Sequence, residues 1–91
     1  MKFYYTYVLL SDHDGKFYIG YSSNVFRRLK EHNAGRTKST APRRPFQLIY
    51  YEAHSHKKDA LRRESYFKTT SGKRTLRLMI RNSLETLKTK H

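Results

Sequence analysis

Residues 3–10, Phe-Tyr-Tyr-Thr-Tyr-Val-Leu-Leu, are aromatic or branched almost throughout, which predicts a strand partly covered on both faces. Asp12-His13-Asp14-Gly15-Lys16 follows, and Asp-Gly supplies the positive φ of a tight turn. Phe-Tyr-Ile-Gly-Tyr-Ser over 17–22 is the returning strand of that hairpin. Ser22-Ser23-Asn24 then offers caps for a helix over 25–33, with Val25, Phe26 and Leu29 on one side and Gly35 closing it. Residues 36–45 read as a basic loop with Pro42 and Pro45, and 46–52 as a third strand. Ser55 is placed to cap a helix over 56–69 carrying Ala60, Leu61, Glu64 and Phe67. Thr70-Ser71-Gly72 is expected to break it. A last helix over 73–88 carries Leu76, Met79, Ile80 and Leu84 as a stripe on a basic background. The order ββαβαα predicts an α+β fold, a small three-stranded antiparallel sheet flanked by helices.

At 91 residues the chain is expected to form one domain, 1–91. So short a chain buries only about 60–65% of its unfolded surface, so any active site is expected at the surface. No apolar run approaches the roughly 20 residues of a membrane span, and no signal-peptide pattern opens the chain. With no cysteine there is no disulfide-linked partner, no thiolate catalysis and no thiolate metal site, which fits a cytoplasmic location.

Charge changes the picture most. The formal net charge is +13, and its distribution is uneven. Residues 1–23 hold two bases and two acids but five of the eight tyrosines; the remaining residues carry the whole excess. An aromatic, neutral head thus precedes a strongly basic body, and polyanions become the leading partner class.

Three groups of residues are candidates for chemistry. Alternation puts Tyr5, Tyr7 and Leu9 on one face of the first strand, and Tyr18, Gly20 and Ser22 on one face of the second. A mid-strand glycine marks a close approach of backbone or ligand, although packed sheet tyrosines have the same pattern. Arg28 and His32, four apart, share a helix face; the pair suits phosphate recognition and also an ordinary solvated basic face. Glu64 falls inside an apolar stripe, where a carboxylate is paired or metal-bound. An ion pair with Arg62, Arg63 or Lys68 satisfies it, as does the role of sole carboxylate ligand to Mg²⁺. Ser71-Gly72-Lys73-Arg74-Thr75 lacks the phosphate-loop spacing, and His32, His54 and His56 lack the helical spacing of a zinc site.

Taken in order, these residues resemble the GIY-YIG nuclease superfamily, and more narrowly its small single-domain branch. Thr6-Tyr7-Val8 stands for the first half-motif, without its Gly-Ile, and Tyr18-Ile19-Gly20 is the second intact. Arg28, His32 and the Glu64 of Ala60-Leu61-Arg62-Arg63-Glu64 follow at the family's spacing, so the resemblance covers about residues 3–80. Leu76 stands near a position where family nucleases often carry Asn, and the family's usual accessory domain is not expected within these residues.

The resemblance implies a Mg²⁺- or Mn²⁺-dependent endonuclease acting on DNA phosphodiesters, structure-selective or nonspecific, with repair or recombination as one setting. It implies Glu64 as metal ligand, Arg28 as the neutraliser of transition-state charge and Tyr7 as general base. Tyr18 would orient water or phosphate, and His32 would take or position the Tyr7 proton. Arg36, Lys38, Arg43, Arg44, Lys57, Lys58, Arg62, Lys73, Arg74 and Arg77 are expected to track the nucleic-acid backbone, which gives affinity without sequence reading. A non-catalytic basic module for DNA or RNA explains the charge and aromatics equally well, but not Glu64 in an apolar stripe. A ribosome-associated or protein-interaction factor fits the charge and predicts nothing about Tyr7 or Arg28.

Overall fold

The computed structural model describes residues 1–89, so the last two positions of the expected domain lie outside the described residues. Its elements are β1 (Tyr4–Ser11), β2 (Phe17–Ser22), α1 (Val25–Asn33), a 3₁₀ turn (Ala41–Arg43), β3 (Phe46–His54), α2 (Lys57–Phe67), α3 (Thr70–Met79) and α4 (Arg81–Thr89). The three strands form one antiparallel sheet in the order β2-β1-β3. The α+β class is as expected. Among the described residues no helix is long and apolar enough to cross a membrane.

Tyr7 pairs with Gly20 on one side and with Tyr51 on the other, and Leu9 pairs with Tyr18, so the tyrosines share a face as alternation requires. On that face Tyr7, Leu9, Val25 and Phe46 form a core that draws in Tyr18 and Leu29. On the opposite face Val8 and Ile19 meet Phe67, Leu76 and Ile80. The sheet is therefore covered by α1 on one side and by α2 to α4 on the other. This is why residues 3–10 carry no polar alternation. The hydroxyl of Thr6 is buried on the second face, where it donates to the Ala60 carbonyl at 2.8 Å.

Local chemistry sets the helix ends. Asn24 caps α1 by accepting from the Arg27 N–H at 3.1 Å. Gly35, at φ +76°, closes it, with Arg36 N–H reaching back to the Glu31 carbonyl at 3.1 Å. The second helix is capped by His56, not Ser55: the His56 Nδ1 accepts from the Lys58 N–H at 3.1 Å.

The largest departure comes after Phe67. Thr70-Ser71-Gly72 does not break a helix but begins α3. The hydroxyl of Thr69 accepts from the Gly72 N–H at 2.9 Å, which makes Gly72 a first-turn residue rather than a terminator. Gly72 is buried against α2, and a Cβ there would run into the Tyr66 carbonyl. The expected helix over 73–88 is divided at Ile80, which bends to φ −109°, ψ 23°. Hydrogen bonding continues across the bend, from Ile80 N–H to Leu76 O and from Leu84 N–H to Ile80 O, both at 3.0 Å. The bend lets Leu76, Ile80 and Leu84 all reach the same core cluster.

Candidate active site

The hairpin and α1 bring Tyr7, Tyr18, Arg28 and His32 together. Gly20 makes the arrangement possible. A Cβ on Gly20 would collide with the Tyr7 hydroxyl and ring, so the phenol lies flat across a gap in the neighbouring strand. The Tyr7 ring is 6.3 Å from Tyr18 and 6.3 Å from His32, and the Tyr18 and His32 rings meet edge-on at 4.8 Å.

Tyr7 and His32 are both buried, at 1% and 0% exposure. The Tyr7 hydroxyl lies 3.1 Å from His32 Nε2. On the other side of the ring, His32 Nδ1 lies 2.9 Å from the Thr40 hydroxyl, which donates to the Thr37 carbonyl at 3.3 Å. Arg28 is only partly buried; it donates to Glu31 Oε1 at 3.1 Å and also directs its guanidinium at the Tyr7 oxygen. Below His32, Asn33 clamps α1 to the start of β3. Its side chain donates to the Phe46 carbonyl at 3.0 Å and accepts from the Phe46 N–H at 2.7 Å.

Burial pushes the Tyr7 phenol up to about 12, with Tyr18 and the Glu64 carboxylate adding to the rise and Arg28 opposing it. Tyr7 is therefore neutral across the physiological range and cannot act as a free phenolate. Burial pushes the His32 pKa down, and the Arg28 charge adds to this. Partial burial works against the Arg28 charge, but its hydrogen bonds to Glu31 and Tyr7 outweigh that and raise its pKa. A neutral imidazole beside a neutral phenol, under a fixed cation, is the resting state at pH 7.

This state has a consequence for stability. The unfolded chain returns His32 to its ordinary value of about 6.5, so in acid it binds more protons than the folded chain does. The His32 contribution is whole above about pH 6.5 and is lost as pH falls toward the lowered folded value. Asp14, held at about 2 by Arg43, loses its contribution only below its ordinary 3.8. Thermal unfolding between pH 8 and pH 5 is expected to show a Tm that declines below about 6.5. The decline should flatten in His32→Gln.

Glu64 projects from α2 with its side chain 20% exposed. Its charge is the smallest of the influences that act on the Tyr7 phenol. Lys68 donates to Glu64 Oε2 at 3.3 Å, and no other hydrogen bond to this carboxylate forms among the described residues. Of the three bases considered as partners, Arg62 pairs instead with Asp59 at 2.9 Å and Arg63 with Glu52 at 2.7 Å. Among the described residues no three His, Cys, Asp or Glu side chains converge as a ligand cage. A lone, partly solvated carboxylate suits Mg²⁺, which keeps most of its shell as water and phosphate oxygen.

The basic residues separate into two sets. Arg36, Lys38 and Arg44 are exposed after α1, and Lys57, Lys58, Arg62, Lys73, Arg74 and Arg77 are exposed on α2 and α3. Arg77 also stacks over Phe17 at 4.6 Å and Lys57 over Tyr21 at 5.8 Å. Arg43 is engaged internally. It donates to Asp14 Oδ2 at 2.7 Å and to the Phe17 carbonyl at 3.2 Å, tying the loop to the hairpin. Leu76, where family nucleases often carry Asn, is fully buried in the core.

Sequence reasoning missed Thr40, Asn33 and Glu31. Thr40 looked like one polar residue in a basic loop, and nothing local marks it as buried beneath His32. The Glu52 network was also invisible: Tyr50, Arg63 and His54 converge on one carboxylate from a strand and a helix.

Residues 3–77 match the family model described as the GIY-YIG catalytic domain. The chain belongs to this family, and Tyr7, Tyr18, Gly20, Arg28, His32 and Glu64 all lie within the matched span. Among its relatives, a UPF0213 protein of Lacticaseibacillus paracasei is 48% identical over 68 residues, 74% of this chain and 75% of the relative. A UPF0213 protein of Staphylococcus haemolyticus is 40% identical over 80 residues, 87% of this chain and 96% of that one. The solution NMR structure of a UPF0213 protein from Bacillus halodurans is 35% identical to this chain. It superimposes with a TM-score of 0.54, covering 85% of this chain and 84% of that one.

Proposed function

We propose that this chain is a divalent-metal-dependent endonuclease that hydrolyses DNA phosphodiester bonds without reading sequence. The observation that carries the reading is the buried, hydrogen-bonded Tyr7–His32 pair beside the Arg28 guanidinium. A basic binding module has no use for a buried phenol with an acceptor behind it.

With a pKa near 12, Tyr7 becomes a base only if its own proton has somewhere to go. His32 Nε2, 3.1 Å away, takes that proton while the phenol oxygen takes one from the attacking water. The water oxygen bonds to phosphorus and the bond to the 3′ oxygen breaks; that oxygen leaves as an alkoxide and takes a proton from solvent, giving 5′-phosphate and 3′-hydroxyl ends. Arg28 neutralises charge gathering on the phosphoryl oxygens, an effect worth several kcal/mol in a partly dry site. In the free protein Arg28 is tied to Glu31 and faces Tyr7. A bound phosphodiester competes for that guanidinium, and its departure opens the phenol to water. Tyr18, edge-on to His32, bounds the other side of the water's position. Glu64 would hold Mg²⁺ or Mn²⁺, which would supply Lewis-acid stabilisation of phosphate charge. The exposed bases of the two sets would supply backbone affinity.

Nicking of supercoiled plasmid by wild type and Glu64→Gln, with Mg²⁺, Mn²⁺ or EDTA at low salt, tests this reading. Metal-dependent nicking is expected from wild type and not from the variant, with equal or tighter DNA retention on a gel. If neither protein cuts plasmid, branched or single-stranded DNA while both retain it, the chain is a binding module. Loss of retention together with cutting in Glu64→Gln would make the glutamate structural.

A further inference from the structure

We propose that Thr40 is a positioning residue that fixes the tautomer of His32 and so makes its Nε2 the acceptor for the Tyr7 proton. The inference rests on the reading of Tyr7 as the group to be deprotonated.

The groups at both ends of the imidazole accommodate this assignment. The Thr40 hydroxyl has one proton and is 1% exposed, with no bulk water to share it. The Thr37 carbonyl, 3.3 Å away, is an acceptor for it alongside the Thr40 and Ala41 N–H, and the proposed assignment sends the proton there. What the hydroxyl turns toward His32 Nδ1, 2.9 Å away, is therefore a lone pair. So Nδ1 carries the hydrogen. A neutral imidazole has one N–H, which leaves Nε2 with its lone pair toward Tyr7. At the far end, the Arg28 guanidinium facing the Tyr7 oxygen is a donor only. The phenol hydrogen is then free to point at Nε2, 3.1 Å away. The opposite tautomer would direct an N–H at the phenol, and His32 would have no site for the proton.

The surroundings leave this task to Thr40. Tyr18 and Phe46 face the ring edge-on at 4.8 and 5.8 Å, and both contribute packing rather than a bond to a ring nitrogen. The nearby charges, Arg28 and Glu31, come from the ring's own helix and pair with each other. Thr40 is delivered from outside that helix. The turn that carries it is held by its own N–H and that of Ala41 on the Thr37 carbonyl, at 3.1 and 2.9 Å. A hydroxyl in this place, unlike a carboxylate, orients the ring without adding charge, so the protonated ring readily gives its proton back.

The test is ¹⁵N NMR of the imidazole nitrogens in the full chain, alongside plasmid nicking. Wild type is expected to show a protonated Nδ1 and an unprotonated Nε2 on His32 near pH 8. In Thr40→Val, which keeps the shape and loses the hydroxyl, the Nε2–H form should appear. Nicking should fall on the order of 100-fold, the low end of what a general base contributes. Thr40→Ser should restore both. An Nε2–H wild type overturns the proposal. So does a Thr40→Val protein that keeps Nδ1–H, or one that switches tautomer and nicks at the wild-type rate. If Thr40→Val does not fold, the wild-type and Thr40→Ser spectra decide, and a difference between them counts against the assignment. If wild type cuts no DNA, the nuclease reading falls separately, and the spectra still show whether Thr40 sets the tautomer.

Discussion

Tyr7→Phe is expected to lower metal-dependent nicking by about 10²- to 10⁴-fold, the range for removing a general base. The phenyl ring fills the same space over Gly20 and keeps the packing with Val25 and Leu9. What disappears is the hydroxyl between His32 Nε2 and Arg28. His32 is left with a buried, unpaired Nε2, which costs about 1–3 kcal/mol of stability. The chain should therefore remain folded, with a lowered Tm and unchanged retention of DNA on a gel. A Tyr7→Phe protein that cuts at the wild-type rate would remove the phenol from the chemistry and leave it a purely structural tyrosine.

The second large effect is expected from a single methyl group. Gly20→Ala places a Cβ where the Tyr7 hydroxyl and ring now lie. The backbone at Gly20 is paired to Tyr7 across the strands and cannot retreat without breaking the ladder, so the phenol must move. Overpacking of this kind costs about 1–3 kcal/mol. A shift on the order of 1 Å in a reacting group costs about 100-fold in rate. The two variants test each other. If Gly20→Ala acts by displacing the phenol, its effect on rate should nearly vanish in a Tyr7→Phe background, because there is no hydroxyl left to misplace. Additive losses would show instead that the methyl harms the fold at large.

Both predictions concern positions that stood out in the chain. Alternation over 3–10 and 17–22 put Tyr7, Tyr18 and Gly20 on matching faces, and the register then paired Tyr7 with Gly20 directly. The spacing of four between Arg28 and His32 survives as one helix face, but their environments differ: His32 is sealed in the core and Arg28 is half exposed. A helical wheel assigns faces, and it does not say how deep each residue on a face will sit. Glu64 in an apolar stripe was visible as an anomaly; its separation from Arg62 and Arg63 was not. Those bases found Asp59 and Glu52, and Glu52 lies on a strand eleven residues earlier than Arg63.

The misread region between Phe67 and Ile80 has a specific cause. Thr-Ser-Gly has the composition of a breaker, and whether it ends one helix or starts another depends on which amide the preceding Thr69 caps. That choice is made by the close packing of Gly72 on the Tyr66 carbonyl, a tertiary contact. Across the bend at Ile80, Leu76, Ile80 and Leu84 all join the cluster of Val8, Ile19 and Phe67, again a tertiary arrangement.

The chain by itself determined the strands, the hairpin turn and the first helix. These depend on periods of two and 3.6 and on side-chain chemistry, which are local properties. Only the tertiary structure decided that Thr40 lies under His32 and that Arg43 binds the hairpin. Each of those contacts joins residues from different elements. Burial also moves the Tyr7 and His32 protons, and burial exists only once both faces of the sheet are covered.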